Sequence, residues 1–205
     1  MLGAALACFG LAALAGLILA VTSGWWLAVV GALAILAAWF YTGGPRPYGY
    51  RALGELSVFV FFGLVAVIGT AYVQTGSVSD GVLWTALGVG SLACAILVAN
   101  NLRDIPTDEA TGKRTLAVVM GSGGSRAFYS VLLAVAYSVV VVLMVTVTAW
   151  SILAAVSLPL ARRALTVVRG GAAGPDLIPV LRDTGLTELV YAGGLLVGML
   201  ASHVV

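Results

Sequence analysis

Most of this chain is built from runs that carry almost no charge. Predominantly apolar runs of about twenty residues cover 2–21, 25–41, 56–73, 82–99 and 186–204, and a longer one covers 127–161. A bilayer core of roughly 30 Å is crossed by about twenty helical residues. At about 1.5 Å per residue, 127–161 would reach about 52 Å as one helix, too long for a single crossing. We therefore divide it near Thr146-Val147-Thr148-Ala149. The expectation is an all-α, polytopic transmembrane helical bundle of about seven spans, with 1–205 as a single domain. Composition agrees: 61% of residues are hydrophobic and 9% charged, against roughly a quarter charged in soluble domains. That excludes a soluble globular protein, a disordered chain and a disulfide-stapled secreted domain.

The few charges test the division. Arg46 and Arg51 follow the second span; Arg103, Lys113, Arg114 and Arg126 follow the fourth; Arg162, Arg163, Arg169 and Arg182 follow the sixth. The alternate connections, 22–24, 74–81 and 146–149, hold no Lys or Arg. Every basic residue thus falls on one side, which the positive-inside rule assigns to the cytoplasm. Reading 127–161 as one span would break this pattern. The N-terminus is then cytoplasmic and His203 lies at the outer end. The first run has no basic flank and no small-residue cleavage site, so it reads as a span rather than a signal peptide. Trp25, Trp26, Trp84 and Trp150 fall near the outer boundary, as an aromatic belt does. Cys8 and Cys94 lie in apolar runs and read as small buried hydrophobes. Gly194-xxx-Gly198 fits small-residue helix packing, a weak signal in a chain with 26 Gly. A net charge of +2 gives no reason to expect nucleic acid.

Chemistry is expected in the polar connections of the basic side. Residues 100–115 read Asn-Asn-Leu-Arg-Asp-Ile-Pro-Thr-Asp-Glu-Ala-Thr-Gly-Lys-Arg-Thr, and hold three of the chain's eight acidic residues. Asn101, Asp104 and Asp108 are spaced three and four apart, which on a helix stacks them on one face. Three oxygen-bearing groups there suit a hard cation. Mg²⁺ takes a few carboxylates and fills its other positions with water and phosphate oxygens. Lys113 and Arg114 would add to the grip on a metal-bound diphosphate. The plainer alternative is a solvated loop in which Asp104 or Asp108 caps a helix and Arg103 is a surface charge. In residues 41–55, Gly43-Gly44-Pro45 and Pro47 are turn formers, and Arg51 and Glu55 are spaced to pair at a helix start. Gly121–Ser125 lacks the Lys of a P-loop and reads as a linker. The segment from Arg162 to Asp183 reads as a loop that anchors helix ends to anionic headgroups.

Asn101-xx-Asp104-xxx-Asp108, followed by Gly112-Lys113-Arg114-Thr115-Leu116-Ala117-Val118, resembles the second aspartate-rich motif of the UbiA superfamily of intramembrane prenyltransferases. With Tyr41–Glu55, it looks most like the branch that acts on 1,4-dihydroxy-2-naphthoate. The resemblance implies Mg²⁺-dependent transfer of a polyprenyl group from polyprenyl diphosphate to that acceptor, releasing CO₂ and diphosphate and giving demethylmenaquinone. It implies Asn101, Asp104 and Asp108 as metal ligands. Lys113, Arg114, Arg51 and Arg46 would bind diphosphate, with Asp104, Asp108 and Lys113 catalytic. Tyr48 and Tyr50 would bind the acceptor. The setting would be the bacterial inner membrane, with the site facing the cytoplasm and the bilayer holding the prenyl tail. The family fold has nine helices and a first motif, N-D-x-x-D-x-x-x-D, after its second helix. No Asp or Glu precedes Glu55 here, so the chain reads as a member lacking two helices and that motif. Rival readings are a prenyltransferase with another aromatic acceptor, and a non-catalytic remnant or transporter. A transporter would be favoured by ionisable groups within helices; the charges read as lying in loops or at helix ends.

Overall fold

The computed structural model describes residues 2–202. Seven helices follow one another: α1 (Leu2–Ser23), α2 (Trp26–Thr42), α3 (Gly54–Thr75), α4 (Asp80–Ala110), α5 (Leu116–Thr146), α6 (Ala149–Arg169) and α7 (Gly174–Ala201). Six are long and apolar enough to cross a membrane, and α2, with 17 residues, is a shorter apolar helix. The chain is thus a multi-pass helical membrane bundle. The expectation for His203 lies outside the described residues.

The division of 127–161 is where it was expected. Helix α5 ends at Thr146, and the Thr148 hydroxyl accepts from the Trp150 backbone N–H to start α6. Other boundaries differ. Residues 100–110 are the last three turns of α4, not a loop, and neither Asp104 nor Asp108 caps a helix. The α5 cap is Thr115, whose hydroxyl accepts from Val118 N–H. The expected linker 121–125 lies inside α5, where Gly121 interrupts the helix at φ +70. The expected 162–183 loop is mostly helix, with only 170–173 between α6 and α7.

The core lies among α4, α5, α6 and α7, with Leu92, Val98, Leu133, Leu143, Val168 and Leu195 buried together. Lipid tails are as apolar as leucine, so close packing and internal hydrogen bonds must hold such helices together. Both are present. A Cβ on Gly194 would stand 2.5 Å from the Leu153 carbonyl oxygen, and one on Gly63 would stand 2.6 Å from the Gly90 Cα. Tyr129 and Thr184 share a 2.7 Å hydrogen bond, Tyr137 and Ser157 another of 2.7 Å, and Tyr191 donates to the Ala136 carbonyl at 2.9 Å. Helices α1 and α2 are peripheral, and Leu11, Leu14, Val21, Val29 and Leu33 present exposed apolar surface to lipid.

Charges collect at one set of helix ends, apart from Asp80 at the opposite end of α4 and Glu188. Glu188 sits well inside α7 and is half-buried, so the expectation that all charges avoid helix interiors does not hold. Asp183 is buried and is flanked by Arg163 of α6 at 3.2 Å and Arg182 at 2.9 Å. Arg126 of α5 donates to the carbonyls of Val168 and Ala172, which closes the C-terminal end of α6. These arginines hold helices together, a use that headgroup anchoring did not foresee.

Replacing Gly194 with Val forces a branched side chain onto the α6 backbone. We expect a loss of about 1–3 kcal/mol from overpacking, read as a lower Tm in detergent; an unchanged Tm would contradict this packing.

Candidate active site

The site is built where α4 outlasts its apolar segment. Its 31 residues reach about 46 Å, so Asn100–Ala110 project past a roughly 30 Å core. Gly112, at φ +73, then turns the chain back in the left-handed conformation that glycine tolerates. Lys113 N–H donates to the Asp108 carbonyl at 2.9 Å. The same turn returns the Lys113 side chain to Asp108, with Nζ 3.1 Å from Oδ1. The buried Thr115 hydroxyl donates to Asp108 Oδ2 at 3.3 Å. Asp108 is 6% exposed, and a carboxylate so buried needs both partners.

One turn earlier, Arg103 grips Asp104 with two N–H groups, at 2.6 and 2.8 Å. The guanidinium holds the Asp104 carboxyl below the usual carboxylate range, and burial opposes it more weakly. Asn100 Nδ2 donates to the same carboxylate at 3.4 Å.

A short pairing joins this region to residues 43–53. Arg51 and Arg114 form an isolated parallel bridge, in which Arg114 N–H donates to the Tyr50 carbonyl at 3.1 Å. The pairing seats Lys113 Nζ 5.3 Å from the centre of the Tyr50 ring, a cation–π distance. It also closes a cleft of about 620 Å³ lined by Arg46, Tyr50, Arg51, Gly112 and Arg114. No carboxylate pairs with these three arginines among the described residues. Ala52 beside them holds φ +57, unusual for a residue with a Cβ. Three guanidiniums without a carboxylate partner around one cleft suit an anion.

The expected residues therefore fall into two groups. Arg46, Arg51, Arg114, Lys113 and Tyr50 are gathered at the cleft and its rim. Tyr48 stands apart: its hydroxyl donates to the Ala37 carbonyl at 2.8 Å and bonds Ser57 at 3.0 Å, tying α2 to α3. Asn101 donates from Nδ2 to Glu55 Oε1 at 2.8 Å. Glu55 thus reaches Asn101 on another helix, and the expected Arg51 pair does not form. Thr115 carries a role that sequence reasoning left unassigned, while Glu55 and Arg103 have partners other than the Arg51 pair and the surface position expected of them. For Thr115, the signal was its place just before the apolar start of α5.

Residues 2–172 match the UbiA prenyltransferase family. The chain belongs to this family. Among UbiA relatives, a Mycobacterium tuberculosis protein named 1,4-dihydroxy-2-naphthoate octaprenyltransferase is 54% identical over 192 residues, covering 94% of this chain and 65% of its own. Proteins of the same name from Mycobacterium leprae and Bacillus subtilis are 52% and 32% identical, over 87% and 97% of this chain and 60% and 65% of theirs. The chain thus spans about two thirds, or slightly less, of the length of these relatives. No solved structure matches it.

UbiA prenyltransferases are generally Mg²⁺-dependent, and the donors fit such an ion in chemistry. Asn101, Asp104 and Asp108 offer only oxygen, and Glu55 Oε2 beside them is buried without a hydrogen-bond partner. Among the described residues, no three His, Cys, Asp or Glu side chains close a protein-only cage. The set suits an ion that keeps positions for water and phosphate.

Removing one guanidinium from the cleft should weaken inorganic diphosphate binding by roughly tenfold or more, the worth of a charge-assisted hydrogen bond. Calorimetry on Arg46→Ala, Arg51→Ala and Arg114→Ala reads this; wild-type affinity in all three would rule out the cleft.

Proposed function

We propose that this chain carries the diphosphate-binding part of a prenyltransferase that joins a polyprenyl group to 1,4-dihydroxy-2-naphthoate, releasing CO₂ and diphosphate and giving demethylmenaquinone. The observation that carries the reading is the Arg51–Arg114 bridge. It unites an arginine cleft with the Lys113–Asp108 end of the acidic helix face. The names of the relatives support the acceptor.

Asn101, Asp104 and Asp108 would hold Mg²⁺. When bound, the ion supplies positive charge to the diphosphate oxygens as the allylic C–O bond breaks. The family pattern calls for a further acidic motif, which these residues do not contain.

The chain's own groups divide the remaining work. Arg46, Arg51 and Arg114 receive the diphosphate with forked N–H donors. Lys113 is already paired with Asp108 and lies at the cleft's rim. It turns from carboxylate to diphosphate as the metal diphosphate binds, and is then in place when negative charge grows on the leaving group. Asp104 and Asp108, relieved of Arg103 and Lys113, become free to act as ligands. The Tyr50 ring, exposed beside Lys113, offers an aromatic face to the acceptor. The apolar helices hold the prenyl tail and keep water from the allylic cation, which the electron-rich acceptor carbon captures. All ten basic residues lie in the connections or the adjoining helix segments of one side, so this face is the cytoplasmic one. The natural setting is the bacterial cell membrane.

Membranes holding the protein are assayed for demethylmenaquinone from polyprenyl diphosphate, 1,4-dihydroxy-2-naphthoate and Mg²⁺. EDTA should stop product formation, and Asp104→Asn with Asp108→Asn should lower it by about 10³-fold or more, as loss of a main electrostatic element does. Undiminished turnover in the double variant would sink the reading.

A further inference from the structure

We propose that Glu55 is a positioning residue that fixes Asn101 as an oxygen donor toward the metal–diphosphate site, an inference that rests on the metal reading above. Glu55 stands in the first turn of α3, where the helix N-terminus favours negative charge. It is 4% exposed, and Asn101 on α4 is 5% exposed. Such a carboxylate has no place in an apolar interior unless something requires it. An apolar residue would pack here at no electrostatic cost.

An asparagine amide has a donor end and an acceptor end, and on its own it can turn either one outward. A carboxylate only accepts. Glu55 Oε1 at 2.8 Å therefore commits the Asn101 NH₂ group to α3. The amide oxygen is left facing away from Glu55, and it receives no hydrogen bond from a described residue. Asn101 shares its helix face with Asp104 and Asp108, so the freed oxygen joins theirs. The arrangement matches the outer carboxylates that fix the orientation of ligating histidines. Gln at position 55 would lose this control, because its own amide can present either end.

The other Glu55 oxygen, Oε2, is buried and has no partner. An unpartnered carboxylate oxygen in that position costs free energy at rest.

Mn²⁺ binding followed by EPR, on the purified chain in detergent with inorganic diphosphate, tests this without turnover. Glu55→Gln and Glu55→Ala should each weaken Mn²⁺ binding by roughly 10–100-fold, the usual cost of losing an outer partner. Asn101→Ala should weaken it similarly. The Glu55→Gln/Asn101→Ala double variant should be no weaker than Asn101→Ala, since Glu55 acts through Asn101. A purely structural role would instead add its loss to that of Asn101→Ala. Additive losses would overturn the inference. So would wild-type binding in Glu55→Gln, or in Glu55→Ala where the Gln variant does not fold. Asp104→Asn/Asp108→Asn separates the two ideas. If Mn²⁺ binding survives that pair, the metal reading fails. If binding is lost there while both Glu55 variants bind like wild type, only the role of Glu55 fails.

Discussion

Charge is costly inside a bilayer, and the chain's ten basic and eight acidic residues are placed accordingly. Nearly all stand where helices end. Crowding them there has a second effect, because opposite charges meet at close range. Arg103 meets Asp104, Lys113 meets Asp108, and Arg163 and Arg182 meet Asp183. The same constraint that lets the helices span also concentrates the ionic groups from which a diphosphate site can be made. The apolar interior is then free for close backbone contacts, such as Gly63 on Gly90 and Gly194 on Leu153.

Helix number and the break at 146–149 were legible because bilayer thickness and charge side constrain them independently. Gly194-xxx-Gly198 was also visible, and α6 does pack on Gly194. What could not be read was anything set by distant partners. Residues 100–110 have the Asn, Asp, Thr and Pro of a loop, yet they continue α4 because Asn101, Leu102 and Asp108 are buried against neighbours. Glu55 is four residues from Arg51, the local partner that spacing suggests. It is taken instead by Asn101, 46 residues away. The arginine cleft depends on a two-residue bridge between segments more than sixty positions apart, which no local pattern encodes. Gly121–Ser125 looks like a linker by composition, but only Gly121 leaves the helix.

The tripeptide Leu-Arg-Asp occurs twice, at 102–104 and 181–183, and the two copies show how burial decides a role. In both, Arg grips the Asp next to it. The Asp183 side chain is 2% exposed and takes a second arginine from another helix. Its two arginines are 64% exposed, but the carboxylate itself is closed to the water that would replace them, so losing both would leave a buried charge unpaired, and this copy fastens α6 to α7. The Arg103 and Asp104 side chains are each 28% exposed. Water reaches both members of that pair and can take the place of a lost partner, so an incoming ion displaces one at a smaller cost. Lys113, equally exposed, holds the more buried Asp108, but Thr115 stays behind as a second partner when the lysine leaves. The acidic face of α4 is thus neutralised by loosely held cations beside an arginine cleft, and binding of a metal diphosphate exchanges one set of ion pairs for another. The Arg182–Asp183 copy, made of the same residues, cannot make that exchange.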